Sequence, residues 1–193
     1  MGVINKFFSL ENKIALVTGG SRGIGKAIAL GFAEAGADVV VASRNKADLE
    51  KVATEITGLG RKSLAVVANT GKLEDISKLV NEIKQNFGRI DILVNNAAVN
   101  PAMLPVLEVE ESLWNKILEV NLKGYFFLSQ ALARIMKDRG GGKIINISSI
   151  RGVRPLEGLG IYSISKAGVI MMTKVLALEL SKFNIQVNCI APG

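Results

Sequence analysis

Tyr162 and Lys166 stand four residues apart, so on a helix they share one face a single turn apart. A phenol in isolation titrates at about pH 10 and is a poor base at neutral pH. A nearby ammonium favours the phenolate, which makes such a pair able to take a proton from an alcohol or give one to a carbonyl. Ser149 lies upstream, and a hydroxyl near the same oxygen would orient and polarise a carbonyl. The Tyr-x-x-x-Lys spacing is common, and its ordinary reading is an exposed helical pair. Its company gives it weight: a glycine turn over residues 18–25, the run Asn95-Asn96-Ala97-Ala98, and Asn121. The chain has no histidine, so His-based catalysis and the usual zinc sites are excluded for it.

The glycine turn reads Thr18-Gly19-Gly20-Ser21-Arg22-Gly23-Ile24-Gly25, between a strand-like run and a helix. Glycines there let the backbone turn sharply and bring a pyrophosphate against free N–H groups at a helix N-terminus. The spacing Gly19-x-x-x-Gly23-x-Gly25 departs from G-x-G-x-x-G, and no Gly-Lys-Ser/Thr follows to make a Walker loop. A dinucleotide turn is the reading, with Gly19, Ser21, Arg22, Gly23, Ile24 and Gly25 as its contacts. The next strand ends Ala42-Ser43-Arg44, without the carboxylate that would bond a ribose 2′-hydroxyl and repel a 2′-phosphate. Arg44, with Arg22 and Ser43 beside it, can offer a planar fork to a phosphate; otherwise both arginines are solvated surface residues. NADP(H) is favoured over NAD(H).

The elements that must position these groups alternate. Strands are predicted at Lys13–Gly19, Asp38–Ser43, Ser63–Asn69, Asp91–Ala97, Lys143–Ser149 and Ile185–Ala191. Helices are predicted at Ile24–Ala35, Lys46–Thr57, Leu73–Phe87, Glu111–Asp138 (bent near Gly124) and Ser163–Phe183. Strands apolar along their whole length suit a parallel sheet buried on both faces. The βα alternation predicts a doubly wound, Rossmann-type α/β fold in one domain over 13–193, preceded by an arm over 1–12. Except for Asn121, the candidate groups fall at strand ends or just after them, where ligands bind in such a sheet. A mid-helix Asn is normally an indifferent surface residue.

A net charge of +7 raises the question of nucleic acid. The lysines and arginines are spread over helix surfaces without interleaved exposed aromatics, so no nucleic-acid partner is expected. No run long and apolar enough to span a bilayer is expected, nor a signal peptide; Phe7, Phe8 and Leu10 suggest a docking arm. The single cysteine, Cys189, is read as core packing in a reducing cytoplasm.

Together these residues resemble the short-chain dehydrogenase/reductase family, in matching order from Lys13 to Gly193. By that resemblance Thr18, Gly19, Gly23 and Gly25 form the cofactor turn, and Asn95 stabilises the central sheet near it. Ala97, Asn69 and Thr70 join the cofactor contacts. Asn121, Ser149, Tyr162 and Lys166 match the family's catalytic tetrad. The resemblance further implies that Lys166 bonds the nicotinamide ribose, that Asn121 holds a water in a proton relay, and that Pro192-Gly193 passes the carboxamide. Ala98 replaces a customary glycine, and Asn69 a customary aspartate that bonds adenine. The family pattern also continues for roughly 50–60 residues beyond Gly193, supplying a substrate-covering loop and a last strand.

Within the family, Asn95–Pro101 and Ala42-Ser43-Arg44 look most like the NADP(H)-dependent carbonyl reductases of broad specificity. The 3-oxoacyl-acyl-carrier-protein reductases are the alternative, and a cofactor-binding but catalytically silent subunit is an alternative of another class. The substrate is a small carbonyl or alcohol compound. The resemblance implies a homodimer or homotetramer through the helices 111–138 and 163–183, in the cytoplasm unless a C-terminal address directs it elsewhere.

Overall fold

Neighbouring residues of strand β1 (Ile14–Thr18) belong to different cores. Ile14 and Leu16 pack on one face of the sheet, Ala15 and Val17 on the other. The computed structural model, which describes residues 8–193, repeats this in β2 (Asp38–Ser43) and β4 (Ile92–Asn95). With β3 (Ser63–Val67), β5 (Gly142–Ile147) and β6 (Ile185–Ile190) they form one parallel sheet in the order β3-β2-β1-β4-β5-β6. This is the doubly wound, Rossmann-type arrangement expected. Helices α1 (Gly23–Glu34) and α2 (Lys46–Gly58) cover one face through Ala29, Ala33, Leu49, Val52 and Ile56. Helices α3 (Leu73–Phe87), α5 (Gly124–Asp138) and α6 (Gly160–Leu180) cover the other.

The connection from β3 crosses back over β1 to β4, so β1 and β4 lie side by side while their chains leave in opposite directions. A crevice opens at the C-terminal ends of two such strands. β2 has its predicted bounds, and the C-terminal ends of the other five strands fall one or two residues inside the predicted ones, which leaves Asn69, Ala97 and Ser149 in the loops that follow. Leu10 fastens the start of the chain by donating its N–H to Ala35 O (2.8 Å), while Phe8 is exposed. Phe7 lies outside the described residues.

Three expectations need correction. The last long helix starts at Gly160, not Ser163, because its ladder already runs from Ser163 N–H to Leu159 O (2.8 Å); Tyr162 is therefore inside its first turn. It ends at Leu180, followed by a 3₁₀ turn over Ser181–Phe183. The region 111–138 is α4 (Glu111–Leu118), a π turn (Glu119–Lys123) and then α5, rather than one helix bent at Gly124. Gly124 closes the π turn by donating its N–H to Glu119 O, and a Cβ on it would overlap the Thr70 carbonyl oxygen. Finally, Gly160–Phe183 is long and apolar enough to cross a membrane by length and composition alone. One face supplies Val169, Met172 and Leu176 to the core beneath it; the other exposes Ile164, Met171 and Leu178.

The Gly124 contact is backbone against backbone and cannot relax by a rotamer change. Gly124→Ala is expected to lose about 1–3 kcal/mol in urea unfolding. Gly31→Ala on α1, where a Cβ meets nothing within 4 Å among the described residues, should be neutral or gain up to about 1 kcal/mol. Equal effects at both positions would refute the packing argument.

Candidate active site

A cavity of about 510 Å³ lies where β1 and β4 diverge. Its lining includes Gly19, Ser21, Arg22, Gly23, Ile24, Gly25, Ser43, Arg44, Asn69, Thr70 and Ala97, all expected at a dinucleotide site. Asn45, Asp48, Asn96, Val99 and Val120 also line it. Gly19 and Gly23 hold φ of 65° and 56°, the left-handed region that suits glycine. Gly25 lets α1 rest on the turn, since a Cβ there would overlap Gly19 O and the Asn96 amide. Among the described residues no side chain caps α1, and its first turn holds no acid. Its free N–H groups therefore face the cavity as an anion site, which fits a pyrophosphate.

Thr18 and Asn96 tie the two strands together at the cavity floor. The Thr18 hydroxyl donates to Val94 O (3.2 Å) and accepts from the N–H groups of Asn96 (3.0 Å) and Ala97 (3.2 Å). The Asn96 amide donates to Thr18 O (2.9 Å) and Gly19 O (3.3 Å). Asn95 points the other way, fully buried, and donates to Ser129 Oγ (2.9 Å) and Asn146 Oδ1 (2.8 Å) inside the sheet. It supports the site without lining the cavity. Asn69 uses Oδ1 to accept from Gly71 N–H (3.1 Å), and its amide N–H groups can be offered to a ligand.

Tyr162, Lys166, Ser149, Pro192 and Gly193 stand apart from this cavity, by the ends of β5 and β6. Lys166 is 1% exposed, and its ammonium donates to Ile147 O at 2.8 Å. Its Nζ is 5.7 Å from the Tyr162 ring centre and 5.3 Å from that of Tyr125. Burial pushes the Lys166 pKa down to about 8, opposed by Cys189, whose thiolate form would favour the ammonium. In return, Ser148 Oγ donates to Lys166 O (2.8 Å), so strand end and helix hold each other. Ser149 Oγ accepts from Arg151 N–H (3.1 Å), which leaves its proton for an incoming oxygen. Ile150 N–H donates to Pro192 O (2.8 Å), and this places Pro192-Gly193 beside the Ser149 loop.

Asn121 sits in the π turn, fully buried. Its amide accepts from Val99 N–H (2.8 Å) and donates to Val99 O (3.0 Å) and Ser165 Oγ (3.2 Å). Ser165 in turn donates to Tyr162 O (2.7 Å). The side chain is a staple between the cavity wall and the helix that carries Tyr162 and Lys166. Tyr125, Asp48 and Asn96 escaped residue-by-residue reading. Asn96 had a signal in the doubled Asn after β4; Tyr125, inside an ordinary apolar helix, had none.

A protein whose doubly wound sheet carries a glycine-rich anion site at the switch point and a Tyr–Lys pair beyond it has the layout of a nucleotide-dependent dehydrogenase. The chain belongs to the short chain dehydrogenase family, whose model matches residues 13–193. It is 43% identical over 184 residues to dehydrogenase/reductase SDR family member 4 of Bos taurus, covering 95% of this chain and 66% of that protein. It is 42% identical over 184 residues to the 3-oxoacyl-acyl-carrier-protein reductase of Thermotoga maritima, covering 95% of this chain and 74% of that one. The solved L-sorbose reductase of Gluconobacter frateurii, complexed with NADPH and L-sorbose, superposes with a TM-score of 0.93 at 37% identity, over 96% of this chain and 71% of that one. The chain thus spans just under two thirds of the bovine relative.

The depressed Lys166 pKa carries a stability consequence. Between about pH 8 and the ordinary lysine value the unfolded chain binds a proton that the folded chain does not, so stability rises with pH across that window. Below about pH 8 the full penalty stands, on the order of 3 kcal/mol. Lys166→Met should therefore be more stable than the parent at pH 7 and lose the rise above pH 8 in urea unfolding. An unchanged slope would show that the lysine is not charged in a buried site.

Proposed function

We propose that the chain is the nucleotide-binding and catalytic part of an NADP(H)-dependent carbonyl reductase, interconverting a ketone or aldehyde and an alcohol. The observation that carries this is the buried Lys166 ammonium set against Tyr162, with the Ser149 hydroxyl proton left over at the same strand ends. A bound nicotinamide would supply or accept the hydride. Ser149 donates to the substrate oxygen and fixes it, and Tyr162 gives that oxygen its proton in reduction or takes it in oxidation. The positive charge of Lys166 stabilises the phenolate that this transfer creates. Arg22 and Arg44 both line the cavity, Arg44 directly after β2, and their guanidinium groups suit a 2′-phosphate. A 3-oxoacyl thioester is the second substrate reading, favoured by the likeness to the Thermotoga maritima reductase.

We further infer that a second copy packs on α6, whose outer face exposes Ile164, Met171, Val175 and Leu178 at helical spacing. Light scattering should give a dimer or tetramer, and Leu178→Glu should shift it toward monomer.

NADPH consumption against ketones, diketones, quinones and 3-oxoacyl thioesters is the direct test. Tyr162→Phe should lower turnover by about 10²- to 10⁴-fold with NADPH binding retained. Arg44→Ala should raise the Michaelis constant for NADPH by about tenfold or more and leave that for NADH nearly unchanged. Full activity of Tyr162→Phe would end the acid/base assignment, and a clear preference for NADH would end the cofactor assignment. A chain that binds NADPH and turns over none of the panel is the silent subunit instead.

A further inference from the structure

Lys166 has one carbonyl and two aromatic rings around its ammonium, and only one of those rings is Tyr162. The other belongs to Tyr125 on α5, 1% exposed and among the largest fully buried side chains of the protein. Its ring centre lies 5.3 Å from Lys166 Nζ, within the range of a cation–π contact. Its hydroxyl donates to Ile147 O at 3.4 Å, the same carbonyl that accepts from Lys166 at 2.8 Å. One backbone oxygen at the end of β5 therefore anchors both side chains. A buried phenol could have satisfied itself elsewhere; here it closes the pocket around the lysine.

We propose that Tyr125 is a positioning residue for Lys166, its ring walling the ammonium from water on the α5 side. The groups facing Lys166 are Tyr125 from α5, Tyr162 from its own helix and Cys189 from β6. Burial is the largest influence on the lysine and lowers its pKa to about 8. Burial likewise drives the Tyr125 phenol upward, helped by Tyr162 and Cys189, so Tyr125 stays a neutral wall throughout the working pH range. The catalytic consequence rests on the reading of Tyr162–Lys166 given above; the contact itself does not.

The test is a titration of Lys166 in the cofactor-free chain, by NMR of side-chain-labelled lysine with the signal assigned through Lys166→Met. The parent should titrate at about 8. Tyr125→Phe keeps the ring and should stay within about 0.3 units of the parent, with turnover within about threefold. Tyr125→Thr admits water, and the titration should rise by about one unit or more toward the ordinary lysine value. The alkaline limb of the turnover profile should move up with it, with kcat falling more than the carbonyl substrate's KM changes. A Thr variant that titrates like the parent overturns the proposal, as does a Phe variant that moves toward the ordinary value. If the Thr variant fails to fold, Tyr125→Val, which also removes the ring, is read in the same way. An unchanged titration in the ring-deleted variant would refute the role of Tyr125 even if Tyr162→Phe is inactive, whereas an active Tyr162→Phe would refute only the catalytic reading.

Discussion

An ammonium held 1% exposed inside a protein shapes much of what surrounds it. Removing an ion from water costs several kcal/mol even after the surroundings relax. Lys166 recovers part of that through one backbone carbonyl and two aromatic faces, and its lowered pKa records the part not recovered. Three neighbours follow from the need to keep this lysine in place. Ser148 binds the lysine's own carbonyl. Gly152 lets the 3₁₀ turn after Ser149 lie against the Lys166 backbone, which a Cβ would overlap. Tyr125 fills the space that water would otherwise take. A methionine would serve packing alone at lower cost, so a buried lysine here fits a charge used in chemistry.

The second constraint is that two half-sites on different strands must keep one separation. The nucleotide cavity is built on β1, β2 and the loop after β3; the Tyr–Lys pair is built on β5 and α6. Two polar staples connect them. Thr18 and Asn96 lock the turn after β1 to the end of β4. Asn121 then locks Val99, on the cavity wall, to Ser165, one residue before the lysine and bonded to the tyrosine's carbonyl. Asn121 falls four residues after buried Ile117 and four before buried Tyr125, so it lies on the face that this stretch turns inward.

This explains which parts were legible in the sequence. The sheet and its helices were, because unbroken apolar strands and amphipathic stretches such as Leu73–Phe87 carry period and length in the residues themselves. Strand ends were blurred by a residue or two, since Asn69 and Ala97 extend an apolar run without pairing. The π turn was not legible: Glu119–Lys123 holds no Gly or Pro to mark a break, and Gly124, which closes it, approaches Thr70 across the fold. Asn121 entered only through resemblance, whereas Tyr162, Lys166 and Ser149 already had a chemical reading from residue type and spacing. Tyr125 was not, because an aromatic residue in an apolar helix looks like core until its ring is seen against a lysine.

The cofactor end turns on a balance that sequence alone could not weigh. Arg22 and Arg44 line the cavity, but so does Asp48, a carboxylate that could oppose a 2′-phosphate. Two features blunt it. Asp48 sits in the first turn of α2, where the helix N-terminus favours negative charge, and Asn45 caps its backbone N–H (3.3 Å). Lys51, one turn on, approaches its Oδ1 to 3.4 Å. The carboxylate is thus engaged along its own helix, whereas neither arginine is in an ion pair among the described residues. Two guanidinium groups outside any ion pair among the described residues, against one acid, leave these three side chains with the net positive charge that a phosphate at the end of β2 would need.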